Sequence, residues 1–221
     1  MTFVEHLNNR LYDLSQHVVR GEVRQTEQCA QALVIDGVPG QVIIRQGLIS
    51  GMQLIGERYR DHKASVPEIL MAAKAIEAGL ELLERYLPDQ NEIEPHGLVI
   101  LGTAQGDIHT IGKNLVGMIL NKSGYAVVDL GSNVSKERFL EAVVEYQAPV
   151  VNISAMLTTI LGRVVETIQL LRSRYSREEL CIIVGGTAIT PRFARQHDAH
   201  YAIDPFAGLE IIRRFYQSRP D

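Results

Sequence analysis

The stretch Gly102-Thr103-Ala104-Gln105-Gly106-Asp107-Ile108-His109-Thr110-Ile111-Gly112-Lys113-Asn114 decides how the second half of this chain folds. Directly before it, Gly97 to Leu101 is a short apolar, β-branched run, which predicts a strand. Directly after it, Ile111 to Lys122 carries apolar residues at helical spacing. A strand that turns through glycines into a helix is one βα unit, and the pattern repeats toward the C-terminus. Further strands are predicted at Ala126 to Leu130, Val150 to Ile153, Cys181 to Val184 and Tyr201 to Ile203. Helices are predicted at Lys136 to Tyr146, Ile160 to Tyr175, Pro191 to Gln196 and Phe206 to Gln217. Strands alternating with helices in this way imply a parallel sheet covered on both faces. Such sheets hold ligands at the carboxyl ends of their strands, near the switch in strand order.

The chemistry-bearing residues fall in those strand-end loops. Asp107 and His109 stand two apart, and Gly112 follows His109 by three. A histidine beside a carboxylate has a fixed tautomer, because one ring nitrogen donates to the acid. The other nitrogen is left to bind a metal or accept a proton. Gly106 and Gly112 allow close approach to a bulky ligand. The plain alternative is a solvent-exposed histidine that happens to lie near an aspartate. After the third strand come Ser154, Met156, Thr158 and Thr159; the serine and threonine hydroxyls suit either a polar ligand edge or, more simply, a cap on the next helix. After the fourth come Gly185, Gly186 and Thr187; paired glycines there imply a close backbone approach to a ligand or to the next helix.

The first 88 residues have a different period. Phe3, Leu7, Leu11, Leu14 and Val18 recur at helical spacing before Gly21. A second helix is predicted over Val23 to Ile35. A third opens after Pro39, with Val42, Ile49, Met52 and Ile55 inward. A fourth opens at Pro67, with Leu70, Ala73, Ile76, Leu80, Leu83 and Leu87 inward. Four helices with short loops predict a small bundle over residues 1–88. Residues 89–96 are polar and proline-containing and read as a linker, so the sheet domain spans 97–221.

Composition narrows the class. The 221 residues carry a net charge of −4 with mixed signs, and no concentrated basic face points to nucleic acid. Arg172, Arg174 and Arg177 read as a solvated helix end. Cys29 and Cys181 lack a metal spacing and read as free thiols. Neither a signal peptide nor a membrane span is evident, so a cytoplasmic protein is expected. A Walker loop is missing, and GTAQGD stands where a dinucleotide fingerprint would, which disfavours a dehydrogenase.

Asp107-x-His109-x-x-Gly112, Ser154-x-Met156 and Gly185-Gly186, in this order and each at a strand end, resemble the signature of the cobalamin-binding domain family. That family includes the corrinoid proteins of methanol, methylamine and methoxy-aromatic methyltransferases and the corrinoid region of methionine synthase. Gly51-Met52, Ile55-Gly56-Glu57-Arg58-Tyr59 and Val66-Pro67-Glu68-Ile69-Leu70-Met71-Ala72-Ala73 resemble the helical cap of the same proteins. The resemblance implies a Rossmann-like (flavodoxin-like) five-stranded parallel sheet domain preceded by an all-α four-helix bundle cap. It implies cobalamin as cofactor and His109 as the lower axial ligand of cobalt, in place of the cofactor's dimethylbenzimidazole. Asp107 would polarise His109. Gly106, Ile108 and Thr110 would lie under the corrin ring. The nucleotide tail would pass Ser154, Met156, Thr158, Gly185, Gly186 and Thr187, and Met52, Val66 and Met71 would line the cap.

The implied activity is that of a methyl carrier. It would move a methyl group on cobalt from a donor-specific methyltransferase to a second methyltransferase that uses tetrahydrofolate or a thiol coenzyme, with a reductive activation protein as a further partner. Three positions depart from the pattern. Met156 stands for the usual leucine. Ile160 stands for the serine that extends the His–Asp relay in methionine synthase, leaving Thr159 as the substitute. Ser65 stands for a large aromatic residue. A sensory cobalamin module is the alternative; its light-sensing relatives use a tryptophan in the cap, and this chain has none.

Overall fold

The computed structural model describes residues 3–86 and 96–218, the side chains of Phe3, Val4, Arg60 and Val66 excepted. Leu87 and most of the expected linker, residues 89–95, lie outside the described residues. Contacts divide the chain into two compact units, Met1–Pro88 and Asp89–Asp221. Among the described residues no helix is long and apolar enough to cross a membrane.

The first unit is helical. α1 (Phe3–Val19) stops at Gly21, whose φ of +67° suits a residue without Cβ. α2 (Val23–Ile35) follows. α3 (Gly40–Val42) runs on through a π-helical stretch, Ile43–Ile49, into α4 (Ser50–Arg60), and α5 (Val66–Glu84) completes the unit. Ser65 precedes α5, and the Glu68 carboxylate accepts from both its main-chain N–H (2.7 Å) and its hydroxyl (2.6 Å).

The inward face of the third rod differs from the expectation. Val42, Ile49 and Met52 are only half-buried, whereas Ile43, Ile44, Gly47, Leu48, Gly51 and Ile55 form the buried stripe. The reason is glycine. A Cβ on Gly47 would collide with Leu14, and one on Gly51 would sit 2.6 Å from the Val18 side chain. The line of closest approach to α1 is therefore marked by missing side chains, which a search for apolar ones passes over. On α5, Leu70 is exposed, not inward, and Ala72, Ala75, Ile76, Gly79, Leu80 and Leu83 are buried.

The second unit alternates β1 (Leu98–Thr103), α6 (Ile111–Lys122), β2 (Ala126–Asp129), α7 (Lys136–Tyr146), β3 (Val150–Ser154), a 3₁₀ turn (Thr158–Ile160), α8 (Leu161–Arg172), β4 (Cys181–Gly185), α9 (Pro191–Gln196), β5 (His200–Ala202) and α10 (Pro205–Gln217). The sheet is parallel throughout, in the order β2-β1-β3-β4-β5. Its central strands are buried almost without a break, as a sheet covered on both faces requires. From β1 the chain goes outward to β2 and then returns to β3 on the other side. The connections from β1 and β3 therefore leave in opposite directions, which makes the carboxyl ends of these two strands the switch point in strand order.

Two expectations in this unit are corrected. Ile203 lies beyond β5 and is exposed. Arg172 is not solvated. Its guanidinium donates to the carbonyls of Asp198 (3.1 Å), Leu180 (2.8 Å) and Ser176 (3.2 Å) and pairs with the Asp198 carboxylate. It ties the end of α8 to the starts of β4 and β5, a task invisible to local spacing. Cys29 and Cys181 are both free thiols.

Candidate functional site

The loop between β1 and α6 begins as an extension of the sheet and is then bent by Gly106, at φ +89°. A Cβ there would lie 2.9 Å from Ile160, so the position has both a conformational and a steric need for glycine. The bend turns Asp107 inward and leaves Ile108 outward: Asp107 is fully buried, and Ile108 is 77% exposed.

A buried carboxylate needs donors, and Asp107 has three. Its Oδ1 accepts from the His109 main-chain N–H (3.0 Å) and the His109 imidazole Nδ1 (2.6 Å). Its Oδ2 accepts from the Met156 main-chain N–H (2.6 Å). Burial pushes its carboxyl up, but the two backbone donors and the imidazole outweigh burial and hold it below its ordinary value of 3.8. An ionised carboxylate only accepts, so in the neutral imidazole the proton sits on Nδ1 and the Nε2 lone pair is free to bind. The His109 side chain is 53% exposed. Thr103, buried at the end of β1, donates its hydroxyl to the His109 carbonyl (3.0 Å) and fixes that residue's backbone too. Among the described residues no cluster of three or more His, Cys, Asp or Glu side chains gathers as a metal cage.

The three expected loops form one continuous edge. Ser154 ends β3 in register with Thr103 of β1 and Gly185 of β4. Ala104 N–H donates to the Ser154 carbonyl, and Ala155 N–H to the Gly185 carbonyl. Gly186 has φ +113°, and a Cβ on it would collide with the Ala155 carbonyl oxygen, so the paired glycines serve a close approach between the β3 and β4 loops. Thr187 donates its hydroxyl to the Met156 carbonyl (3.3 Å). The capping role expected for the β3 hydroxyls is not observed. The residue before the 3₁₀ turn is Leu157, without a side-chain cap. The hydroxyls of Ser154, Thr158 and Thr159 make no hydrogen bond among the described residues, and Thr158 and Thr159 are exposed. Thr159 thus does not extend a relay from Asp107; the place is taken by the Met156 N–H.

Gly112, in the first turn of α6, differs from the other site glycines. A Cβ there meets nothing within 4 Å, so nothing in the fold demands glycine. Thr110 precedes α6 and accepts from the Asn114 N–H through its carbonyl (2.7 Å).

In the helical unit Met52 is half-buried on α4. Met71 is exposed on α5 and backs onto Gly21. The side chain of Val66 lies outside what the structure describes.

Sequence reasoning missed Thr103, Asn133, and the pair formed by the buried Lys113 ammonium with the Asp129 carboxylate. Thr103 stood in the strand-end loop with nothing to single it out, and Asn133 in an unpatterned turn. Only their hydrogen-bond partners, His109 and Gly106, distinguish them.

Comparison with known proteins points the same way. The B12 binding domain family matches residues 97–210, and a second family, also described as a B12 binding domain, matches residues 11–84. Dimethylamine corrinoid protein 1 of Methanosarcina mazei is 37% identical over 152 residues, 69% of this chain and 70% of that protein. The solved monomethylamine corrinoid protein of Methanosarcina barkeri superposes with a TM-score of 0.83 at 26% identity, covering 96% of this chain and all of that one. The methanol:cobalamin methyltransferase complex of the same organism matches with a TM-score of 0.54 at 26% identity, covering 96% of this chain and 81% of its counterpart.

Proposed function

This chain belongs to the B12 binding domain family, and from that premise we propose that it is a corrinoid protein carrying a methyl group on cobalt between two methyltransferases. Its cofactor is cobalamin. The observation that carries the reading is the buried Asp107 carboxylate 2.6 Å from His109 Nδ1, which commits the imidazole to offering Nε2 outward.

The residues suit such a group. His109 would hold the cobalt through Nε2. Gly106, Ile108, Thr110 and Gly112 would lie under the ring, where an exposed apolar side chain and an open glycine favour a broad flat ligand. The cofactor's tail would run along Ser154, Met156, Thr158, Gly185, Gly186 and Thr187. There the unengaged hydroxyls of Ser154 and Thr158 are ready to pair with a polar chain. When bound, cobalamin supplies the nucleophilic cobalt that accepts and releases the methyl group. The chain's own work is to orient the His109 imidazole, through Asp107, and to keep its tautomer fixed. Met52, Val66 and Met71 are proposed as cap residues on the resemblance of the helical segments alone.

Partners follow from the relatives. A corrinoid protein seated on a methyltransferase in the methanol system supports a donor-specific methyltransferase as one partner. The amine-specific names of other relatives make methylamines a candidate donor class. A second methyltransferase with a folate or thiol acceptor, and a reductive activation protein, complete the proposed cycle.

The test is electron paramagnetic resonance of the cobalt(II) form, reconstituted with cobalamin labelled with ¹⁵N in its dimethylbenzimidazole. The expected spectrum shows coupling to an unlabelled protein nitrogen, lost in His109→Ala. Coupling to the cofactor's own labelled nitrogen would overturn the assignment.

A further inference from the structure

The loop after β2, residues 130–134, grips the His109 loop from the side opposite β3. It pairs with it as a strand would: Thr103 N–H donates to the Gly131 carbonyl, Val134 N–H to the Thr103 carbonyl, and Ala104 bridges Val134. Its tightest hold is Asn133. The side-chain Oδ1 of Asn133 accepts from the Gly106 N–H (2.8 Å), and its own main-chain N–H donates to the Asp107 carbonyl (2.9 Å). Those two groups bracket the Gly106–Asp107 peptide. The loop is anchored in turn from below. Gly131 N–H donates to Asp129 Oδ1 (2.8 Å), and the Asp129 carboxylate pairs with the buried Lys113 ammonium on the first turn of α6.

This grip matters because Gly106 is permissive. A glycine at φ +89° reaches many other conformations at little cost, so something outside it must select this one. The Asp107 carboxylate is held by Met156, but its main chain is held by Asn133. Asn133 itself sits at φ +56°, a left-handed conformation that asparagine tolerates better than most residues. An asparagine that served only its own turn would bond locally; this one reaches a residue 27 positions away.

We infer that Asn133 is a positioning residue that sets the His109–Asp107 pair by clamping the Gly106–Asp107 peptide. The inference rests on the reading of His109 as the cobalt ligand.

Two variants separate the side-chain acceptor from the turn. Asn133→Gly keeps the left-handed backbone and the main-chain donor and removes only the acceptor. Asn133→Asp keeps the acceptor and still tolerates the left-handed region. Two measurements are made on each, with melting temperature as a check on folding. In the apo-protein, ¹⁵N NMR of the His109 imidazole gives the ratio of the Nδ1–H to the Nε2–H tautomer. In the cobalamin-loaded protein, the cobalt(II) spectrum gives the ratio of His-ligated to unligated metal. Asn133→Gly is expected to lower both ratios roughly two- to tenfold, the effect of one neutral hydrogen bond. Asn133→Asp is expected to return both to within about twofold of wild type. Ratios unchanged in Asn133→Gly, or Asn133→Asp behaving no better than Asn133→Gly, overturn the inference. Failure of the cobalt reading shows separately, as cofactor-nitrogen coupling in the wild-type spectrum. The apo-protein tautomer ratio then still decides whether Asn133 sets the pair.

Discussion

The Met156 main-chain N–H donates to Asp107 Oδ2 at 2.6 Å, so the acid behind His109 is held by the loop of a different strand. A backbone donor cannot be removed by mutating its side chain and does not titrate. The His109–Asp107 pair is therefore anchored in the sheet itself, at the carboxyl ends of the neighbouring strands β1 and β3 where the strand order switches.

Asp107→Asn tests that anchor. The amide offers one acceptor oxygen where the carboxylate has two, and its NH₂ must then face a buried donor. Leaving one buried donor unmatched costs about 1–3 kcal/mol. Thermal melts of the apo-protein should show that loss. Cobalamin should still bind, but the fraction of His-ligated cobalt(II) should fall. An unchanged fraction would mean that the carboxylate does not polarise His109.

Gly112→Ala and Gly186→Ala should behave oppositely. A Cβ on Gly112 meets nothing in the fold, and alanine is the better helix former by about 1 kcal/mol. Apo-protein stability should hold or rise while cobalamin affinity drops, as measured by titration. Alanine at 186 must adopt φ +113° and meet the Ala155 carbonyl, so stability should fall by about 2 kcal/mol or more. Full cobalamin affinity in Gly112→Ala would place the ring away from the first turn of α6.

The two thiols should resist labelling in the native state. Burial pushes the Cys181 thiol up to about 12 and raises Cys29 as well. Iodoacetamide at mildly alkaline pH should modify neither quickly, and both should react after denaturation. Fast native labelling of Cys181, read by mass spectrometry, would show that β4 opens.

Acid should weaken the start of α5. Hydrogen bonds from the Ser65 side chain and main chain lower the Glu68 carboxyl below its ordinary 4.5. A carboxylate lowered in the folded state stabilises it above the unfolded value, and loses that contribution as pH falls through the folded value. The melting temperature of wild type should exceed that of Glu68→Ala at neutral pH, and the difference should close below the usual carboxylate range. A gap that stays constant across that range would mean the cap is not electrostatic in origin.

Much of this was readable beforehand, for reasons that particular elements illustrate. The bounds of α6, α7 and α9 match their sequence expectations because each begins at a loop residue and carries a regular apolar period. β1, β3 and β4 were legible because a strand buried on both faces is a continuous β-branched run. The short β5 was misjudged at its end, where Ile203 looks like strand but has no partner to pair with. In the helical unit the stripe through Gly47 and Gly51 was missed, since close packing there is encoded by the absence of side chains.

For the site, the order and spacing of Asp107, His109, Gly112, Ser154 and Gly185-Gly186 lie in the sequence, because each sits at a strand end that periodicity locates. The chain alone also carries the local half of the chemistry, a histidine two residues from an acid, close enough for one turn to join them. The other half is tertiary. Met156 is 49 residues from Asp107, and Asn133 is 27 from Gly106. Those bonds exist because β2, β1 and β3 lie side by side and in register, which brings their loops to one edge. Both bonds use a main-chain N–H, a group nearly every residue carries, so no residue type announces them; only the sheet that aligns the strands decides which N–H meets which acceptor.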